Sequence, residues 1–256
     1  MNPLLSGDYK LASVSLSEID RGWLGKRRFD KKYLITEEQF RNFLAPRSAD
    51  FSILDISGVT SFQYQTEYFD TDSLDCYRDH LKRKSRRAKI RLRTYLDSGQ
   101  SRMEVKVRLG NLQSIKFAQE NVTNYEEPQQ EFVRTVLSEQ LPNSSLGAKV
   151  TELQSVALNT YERSTLLHGN QSERITVDRS LVLQAFGQEY ATNTGLVLLE
   201  VKSLNRKSEI VRNLLFSGIR PIRFSKYCAS IDLTTEDRPR VHRRSFLANN
   251  FEALLP

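Results

Sequence analysis

The sequence predicts an α+β protein whose sheet is largely antiparallel. Residues 87–95 and 102–108 alternate polar and apolar side chains with period 2, and Asp97-Ser-Gly-Gln100 between them has hairpin-turn chemistry. Strand-like runs also come in groups with helical stretches between the groups, which is unlike the regular βαβ alternation of a parallel sheet.

Each element follows from local chemistry. Residues 1–26 read as a loose, flexible leader with Gly7, Gly22 and Gly25 and little periodicity. A strand is expected over 27–34, and Thr36-Glu-Glu-Gln39 is a capping box opening a helix through about Leu44, with Pro46 just beyond. Phe51–Ser57 and Ser61–Phe69 alternate as two strands around Gly58, and Asp72 is placed to cap a helix over 73–82. After the hairpin, residues 113–121 extend the meander. Pro128 starts a helical pair, 128–140 and 147–156, divided by Pro142-Asn-Ser-Ser. Strands resume over 157–167, 173–178, 181–185 and 195–203; a helix over 206–217 ends at Gly218, and a short helix begins at Ser225. From Thr235 the chain reads as a basic, poorly periodic tail. The expected organisation is a leader (1–26), one domain (27–234) and a tail (235–256), with no repeat or linker dividing the domain.

The 256 residues carry 38 Lys+Arg against 31 Asp+Glu, a net charge of +7, and are enough to bury a sizeable core. That charge is concentrated. Residues 82–108 hold eleven Lys/Arg and only Asp97 and Glu104, so this segment carries +9 and the rest of the chain −2. No apolar run approaches the roughly 18–20 residues that cross a bilayer, and the first twenty residues lack the basic start and apolar middle of a signal peptide. Cys76 and Cys228 make neither a disulfide framework nor a cysteine zinc site, and His80, His168 and His242 have no metal-ligand spacing. A reducing cytoplasm is the expected compartment.

A strand sends alternate side chains to opposite faces. The hairpin therefore has an apolar face (Ala88, Ile90, Leu92, Met103, Val105, Val107) and a face bearing Arg87, Lys89, Arg91, Arg93, Arg102, Lys106 and Arg108 with one acid, Glu104. A solvated face mixes signs, and like charges facing one another on a sheet are destabilising. Seven cations against one glutamate point to a counter-charge supplied by a ligand. Other strands repeat the theme: Arg28, Asp30 and Lys32; Arg163 beside Tyr161; Arg174, Thr176 and Asp178; and Glu200 and Lys202 opposite Val197, Leu199 and Val201. A sheet closed with those faces inward would enclose a wet lumen holding phosphate-like charge.

Arg28-Phe-Asp-Lys-Lys-Tyr33 resembles the R-x-E-x-K-Y motif that opens the polyphosphate polymerase (VTC, vacuolar transporter chaperone) domain. Tyr68-Phe-Asp-Thr71, Lys89-Ile-Arg-Leu-Arg-Thr-Tyr95, Glu104-Val-Lys106, Tyr161-Glu-Arg163, Thr176-Val-Asp-Arg179, Leu199-Glu-Val-Lys202 and Phe224-Ser-Lys-Tyr227 follow in that family's order. The resemblance covers about residues 27–231 and departs at Asp30, where Glu is usual. The leader is too short for the phosphate-sensing SPX domain of the eukaryotic members, and their membrane segments are missing. The resemblance implies a triphosphate tunnel metalloenzyme: a closed antiparallel β-barrel of about eight strands forming a tunnel, with helices packed outside. It implies transfer of the terminal phosphate of ATP onto a polyphosphate chain, dependent on Mn²⁺ or Mg²⁺.

By that resemblance Lys32, Arg91, Arg93, Lys106 and Lys226 hold the reacting phosphates. Arg28, Lys89, Arg163, Arg174, Arg179, Lys202 and Ser225 are the further phosphate contacts, with Glu200 as first and Glu104 as second candidate for the metal. The partners implied are ATP, polyphosphate or triphosphate and a separately encoded membrane protein, which would set a cytoplasmic chain against the inner face of the membrane. Two other readings keep the same cationic tunnel: a tripolyphosphatase or nucleoside triphosphatase, where water is the acceptor, and a non-catalytic polyphosphate sensor. Nucleic-acid binding is disfavoured, because no reader motif is present and an enclosed lumen would not admit a duplex.

Overall fold

A computed structural model describes residues 11–20, 23, 28–110, 113–122, 124–235 and 239–254. Within them the strands are β1 (Ala12–Val14), β2 (Phe29–Thr36), β3 (Phe51–Leu54), β4 (Phe62–Asp70), β5 (Arg87–Tyr95), β6 (Ser101–Leu109), β7 (Gln113–Glu120), β8 (Gln154–His168), β9 (Glu173–Ala185), β10 (Gln188–Thr192), β11 (Leu196–Ser203) and β12 (Phe251–Leu254). The helices are α1 (Leu16–Asp20), α2 (Glu37–Leu44), α3 (Asp75–Leu81), α4 (Glu127–Gln140), α5 (Glu209–Phe216), α6 (Lys226–Thr234) and α7 (Arg244–Asn250). The fold is thus a sheet-rich, mainly antiparallel α+β fold; the β1–β3 pair is parallel.

The chain forms two compact units. One gathers residues up to Gln63, Tyr161–Leu181 and Thr192–Arg223; the other gathers Tyr64–Thr160, Val182–Ala191 and the residues from Phe224. Long strands β8 and β9 contribute to both, so the chain passes between units within strands and no linker betrays the division.

In the first unit the pairing order is β2-β11-β9-β8-β3-β1. Tyr33, Ile35, Ile175, Val177, Val197, Leu199 and Val201 line one face and pack against Phe40, Phe43 and Leu44 of α2 and Ile210 and Leu214 of α5. The capping box is present: Thr36 Oγ1 accepts from Gln39 N–H and Gln39 Oε1 accepts from Thr36 N–H, both at 3.0 Å. α5 closes at Gly218, whose φ of +76° suits a residue without Cβ.

In the second unit the order is β12-β10-β9-β8-β4-β5-β6-β7. The apolar face of β5–β6 (Ala88, Ile90, Leu92, Met103, Val105, Val107) is buried with Val133, Val136 and Leu137 of α4 and Tyr227, Cys228 and Ile231 of α6. Each such side chain removed from water contributes about 1.5–3 kcal/mol, which commits the opposite side chains of the same strands to the polar face.

Several expectations change. Among the described residues no ladder joins β7 to β12 in one unit or β2 to β1 in the other, so the pairing is open where a closed ring of about eight strands was expected. The β7 edge carries Lys116 and Glu120, and charged side chains blunt edge pairing. α3 is not capped by Asp72: its first residue follows Leu74 in the left-handed region (φ 57°), and the buried Asp70 carboxylate accepts from the N–H groups of Cys76 and Tyr77. The helix expected over 147–156 is a 3₁₀ segment, Ser145–Glu152, that gives way to β8. Runs 173–178 and 181–185 form one strand, and a turn with positive φ at Phe186 and Gly187 adds β10.

Within the expected leader, residues 11–20 supply β1 and α1; residues 1–10, 21–22 and 24–26 lie outside the described residues. The expected tail supplies α7 and β12 and buries His242; Arg238 lies outside the described residues. No described helix is long and apolar enough to cross a membrane.

Candidate functional site

In the second unit the registers Arg87↔Arg108, Lys89↔Lys106, Arg91↔Glu104 and Arg93↔Arg102 put the hairpin's charged side chains on one face, as the alternation requires. β7 extends that face, with Lys116 opposite Lys106 and Glu120 opposite Arg102. At its centre Glu104 is 1% exposed. Its Oε2 accepts from Arg91 Nε and Nη2 at 2.6 Å, its Oε1 accepts from Lys116 Nζ at 2.8 Å, and Arg93 Nη1 lies 3.8 Å away. Burial alone would raise this carboxyl, but Arg91, then Arg93 and Lys116, outweigh it and hold Glu104 far below the ordinary carboxylate range. Glu120, 3.5 Å from Arg102 Nη1, is the second acid of this face. Burial first, then Lys89 and Arg87, push the His80 imidazole down to about 2. Arg93 Nε is buried with no hydrogen-bond partner, although the ring of Tyr64 lies beneath its guanidinium at 5.7 Å.

α6 meets this face at its first turn. Ser225 is the N-cap, its Oγ accepting from Cys228 N–H at 3.3 Å and from Lys89 Nζ at 2.7 Å. Lys226, next in sequence, is buried, and Lys106 is exposed on β6. Behind Ser225, its N–H donates to His242 Nε2 at 3.3 Å, and His242 Nδ1 is 2.6 Å from Asp232 Oδ2, so the end of the chain braces this helix start.

In the first unit the registers Lys32↔Glu200↔Thr176 and Asp30↔Lys202↔Arg174 assemble a second polar face. Lys32 Nζ is 3.5 Å from Glu200 Oε1 and Lys202 Nζ 3.7 Å from Oε2. Arg163 forks onto Asp178 (Nε–Oδ1 2.5 Å, Nη2–Oδ2 2.7 Å), and its guanidinium stacks 5.0 Å from the ring of Tyr161. Arg174 lies 4.6 Å over the indole of Trp23, and Arg28 is exposed one residue before β2. Arg179 is not brought to this face. It has the parity of Ile175 and Val177, and forks onto Glu37 at the start of α2 (Nη2–Oε1 2.6 Å) over the ring of Phe40.

Glu200 and Thr176 fit a hard divalent cation. The Thr176 hydroxyl, across the ladder from Glu200, is buried without a hydrogen-bond partner, and a carboxylate with a hydroxyl is an oxygen donor set suited to Mg²⁺ or Mn²⁺, which keep water and phosphate as further ligands. Glu104 is held more tightly: Arg91 and Lys116 meet its two oxygens at 2.6 and 2.8 Å, against 3.5 and 3.7 Å for the lysines beside Glu200.

Lys202 carries a testable electrostatic signature. Burial, opposed by Glu200 and assisted by Arg163 and Arg174, pushes its ammonium down to about 7 from 10.5. Between those values the unfolded chain binds the extra proton, so the Lys202 contribution makes stability rise with pH from about 7 toward 10.5; the full cost of charging it is carried below 7. The urea midpoint of the native chain should therefore climb between pH 7 and 9 relative to Lys202→Met, and parallel pH profiles would contradict this. A bound phosphate would return the proton and cancel the rise.

Sequence reasoning missed Lys116 and the fork partner role of Asp178. Applying the period of 2 to Ser114, Lys116, Ala118 and Glu120 would have found the lysine; the Arg163–Asp178 fork is a tertiary pairing with no local signal.

A family profile described as the VTC domain matches residues 27–235. No curated protein matches the chain. Among solved structures, the chain is similar to a candidate adenylyl cyclase from Hippeastrum described by a dominant triphosphatase activity (TM-score 0.46, 12% identity, covering 82% of this chain and 98% of that one). It is also similar to a candidate adenylate cyclase from Bacillus halodurans (TM-score 0.44, 13% identity, 78% and 94%) and to a conserved protein from Pyrococcus furiosus (TM-score 0.44, 12% identity, 78% and 98%).

Proposed function

The chain belongs to the VTC domain family, and from that premise we propose that it is a metal-dependent phosphotransferase that moves the terminal phosphate of ATP onto a polyphosphate chain over a cationic sheet face. The observation that supports this reading is the β5–β6–β7 face, where seven hairpin cations and Lys116 share two carboxylates, the buried Glu104 and the exposed Glu120. Like charges facing one another across a ladder are destabilising, and a bound anion would relieve that repulsion.

Phosphoryl transfer asks the protein mainly for alignment and charge stabilisation. Arg93 offers a forked donor that matches two phosphate oxygens, Arg91 offers the guanidinium edge that Glu104 does not take, and Lys89, Lys106 and Lys226 act as point charges. Ser225 and the first turn of α6 offer a hydroxyl and backbone N–H groups to a terminal phosphate. Glu104 fixes Arg91 and Lys116 in place, so their positions are set before substrate arrives. In the first unit Lys32, Lys202, Arg163 and Arg174 form a second cationic face able to take phosphate oxygens. Glu200, with Thr176, would hold the divalent cation, which when bound neutralises charge on phosphate oxygens. Arg179, on the opposite sheet face, is assigned to anchoring α2 through Glu37.

No protein nucleophile is needed, since a phosphate oxygen of the acceptor attacks the terminal phosphate in line. Water in that position would give a triphosphatase on the same residues. Incubation with ATP and Mn²⁺ separates the two: long-chain polyphosphate resolved by gel electrophoresis is the expected product, and orthophosphate as the sole product would replace the polymerase reading by the hydrolase.

A further inference from the structure

The first unit carries a second cluster of metal-ligating side chains, on the other side of its sheet from Glu200. His168 ends β8 and Glu173 opens β9, with the turn 169–172 between them. By strand parity both lie with Leu166, Ile175 and Val177 on the helix-covered apolar face, and the Phe51 ring packs edge-on to the His168 imidazole at 5.1 Å. Glu209, the first residue of α5, completes the group: each of the three residues offers one ligand atom, all within 4.8 Å of one another.

Glu173 is the informative member. It is 2% exposed; its Oε2 accepts from the Glu209 N–H at 3.1 Å and from Asn170 Nδ2 at 3.5 Å, while its Oε1 is buried with no hydrogen-bond partner. Among the described residues no lysine or arginine pairs with Glu173 or Glu209. A carboxylate taken out of water without a counter-charge is costly, and a second carboxylate within a few ångströms adds repulsion. A divalent cation removes both penalties. His168 brings an imidazole nitrogen within 4.8 Å of both carboxylates, and ligation through Nδ1 would replace its 3.4 Å contact from the Asn170 N–H. The start of α5 does not repel the ion as a bare helix end would, because Glu173 already takes its first N–H.

We propose that His168, Glu173 and Glu209 bind a divalent cation of the zinc class as a structural site, tying the 169–172 turn to the start of α5. One imidazole and two carboxylates, with a water as fourth ligand, form a borderline donor set suited to Zn²⁺ more than to Mg²⁺. Bonds of about 2.0–2.2 Å would bring the donors to about 3.4 Å of one another, a contraction that the exposed Glu209 side chain can supply. This site is independent of the proposed phosphotransfer and of the Glu200 cation.

The test uses the full chain carrying Glu200→Gln, so that the cation of the polar face does not confuse the count. After chelation, Zn²⁺ is titrated calorimetrically and Co²⁺ is added separately for its visible absorption. One equivalent of Zn²⁺, a Co²⁺ band of four- or five-coordinate type and a Zn²⁺-dependent rise in Tm are expected. His168→Ala and, as a surface change that leaves the fold intact, Glu209→Gln should each weaken Zn²⁺ at least tenfold and bleach the Co²⁺ band. The proposal is overturned if the Glu200→Gln chain takes up no Zn²⁺, or if both further variants, shown folded by circular dichroism, retain the same equivalent and spectrum.

Discussion

Replacing Glu200 by glutamine should lower metal-dependent turnover of ATP by about 10²–10³-fold, the loss typical when one preorganised charge-stabilising group is removed. Glutamine keeps the shape and the strand, so the chain should unfold within about 0.5–1 kcal/mol of the native one. The ion pairs of Glu200 with Lys32, at 3.5 Å, and with Lys202, at 3.7 Å, are long. The diagnostic readout is the metal requirement: raising Mn²⁺ should partly restore the native chain at limiting metal and leave Glu200→Gln flat. If the carboxylate only paired with lysines, both chains would share one Mn²⁺ dependence.

Glu104→Gln should act in the opposite way, on stability before chemistry. Glu104 is almost completely buried and is the counter-ion of Arg91, Arg93 and Lys116. Breaking a buried pair by removing one partner costs about 3–5 kcal/mol, because the remaining charges are left uncompensated. Urea unfolding at pH 7 measures this. Tripolyphosphate should recover more stability in Glu104→Gln than in the native chain, since an anion replaces the missing charge. The pH dependence has a definite sign. The folded carboxyl titrates far below its ordinary 4.5, so its contribution is present above that value and is lost as pH falls below it. The native chain should therefore converge on Glu104→Gln in acid. A variant within 1 kcal/mol of native at pH 7 would remove Glu104 from the centre of this network.

What could be read from the sequence was whatever a local period enforces. The hairpin 87–108 was legible because each Ala88, Ile90 and Val105 buried on one face sends its neighbour to the other, whatever the rest of the chain does. The same rule puts Asp30 with Lys32, Glu200 with Lys202 and Arg174 with Thr176 on one face of their own strands, and the β2-β11-β9 register joins them. It also excludes Arg179, which a motif match had drawn into the site although its parity follows Val177. The capping box at Thr36 was legible for the same reason: both of its hydrogen bonds are local.

Less was legible where distant residues decide. β10 is announced by Phe186-Gly187, a turn lacking the Asn-Gly or Asp-Gly signal, and the cap of α3 comes from Asp70 at the end of the preceding strand. The final segment looked like a solvated tail because its burial depends on His242 meeting Asp232 and Ser225. The Glu104 network needed β7, whose Lys116 has no anionic neighbour in sequence.

The central claim is that the β5–β6 face is a phosphate-binding wall. A crystal structure of the chain with tripolyphosphate tests it most directly. The expected result is phosphate oxygens within hydrogen-bonding distance of Arg91, Arg93 and Lys89, with Arg93 Nε now donating. Tripolyphosphate bound elsewhere, or none bound to that face at saturating concentration, would contradict the account.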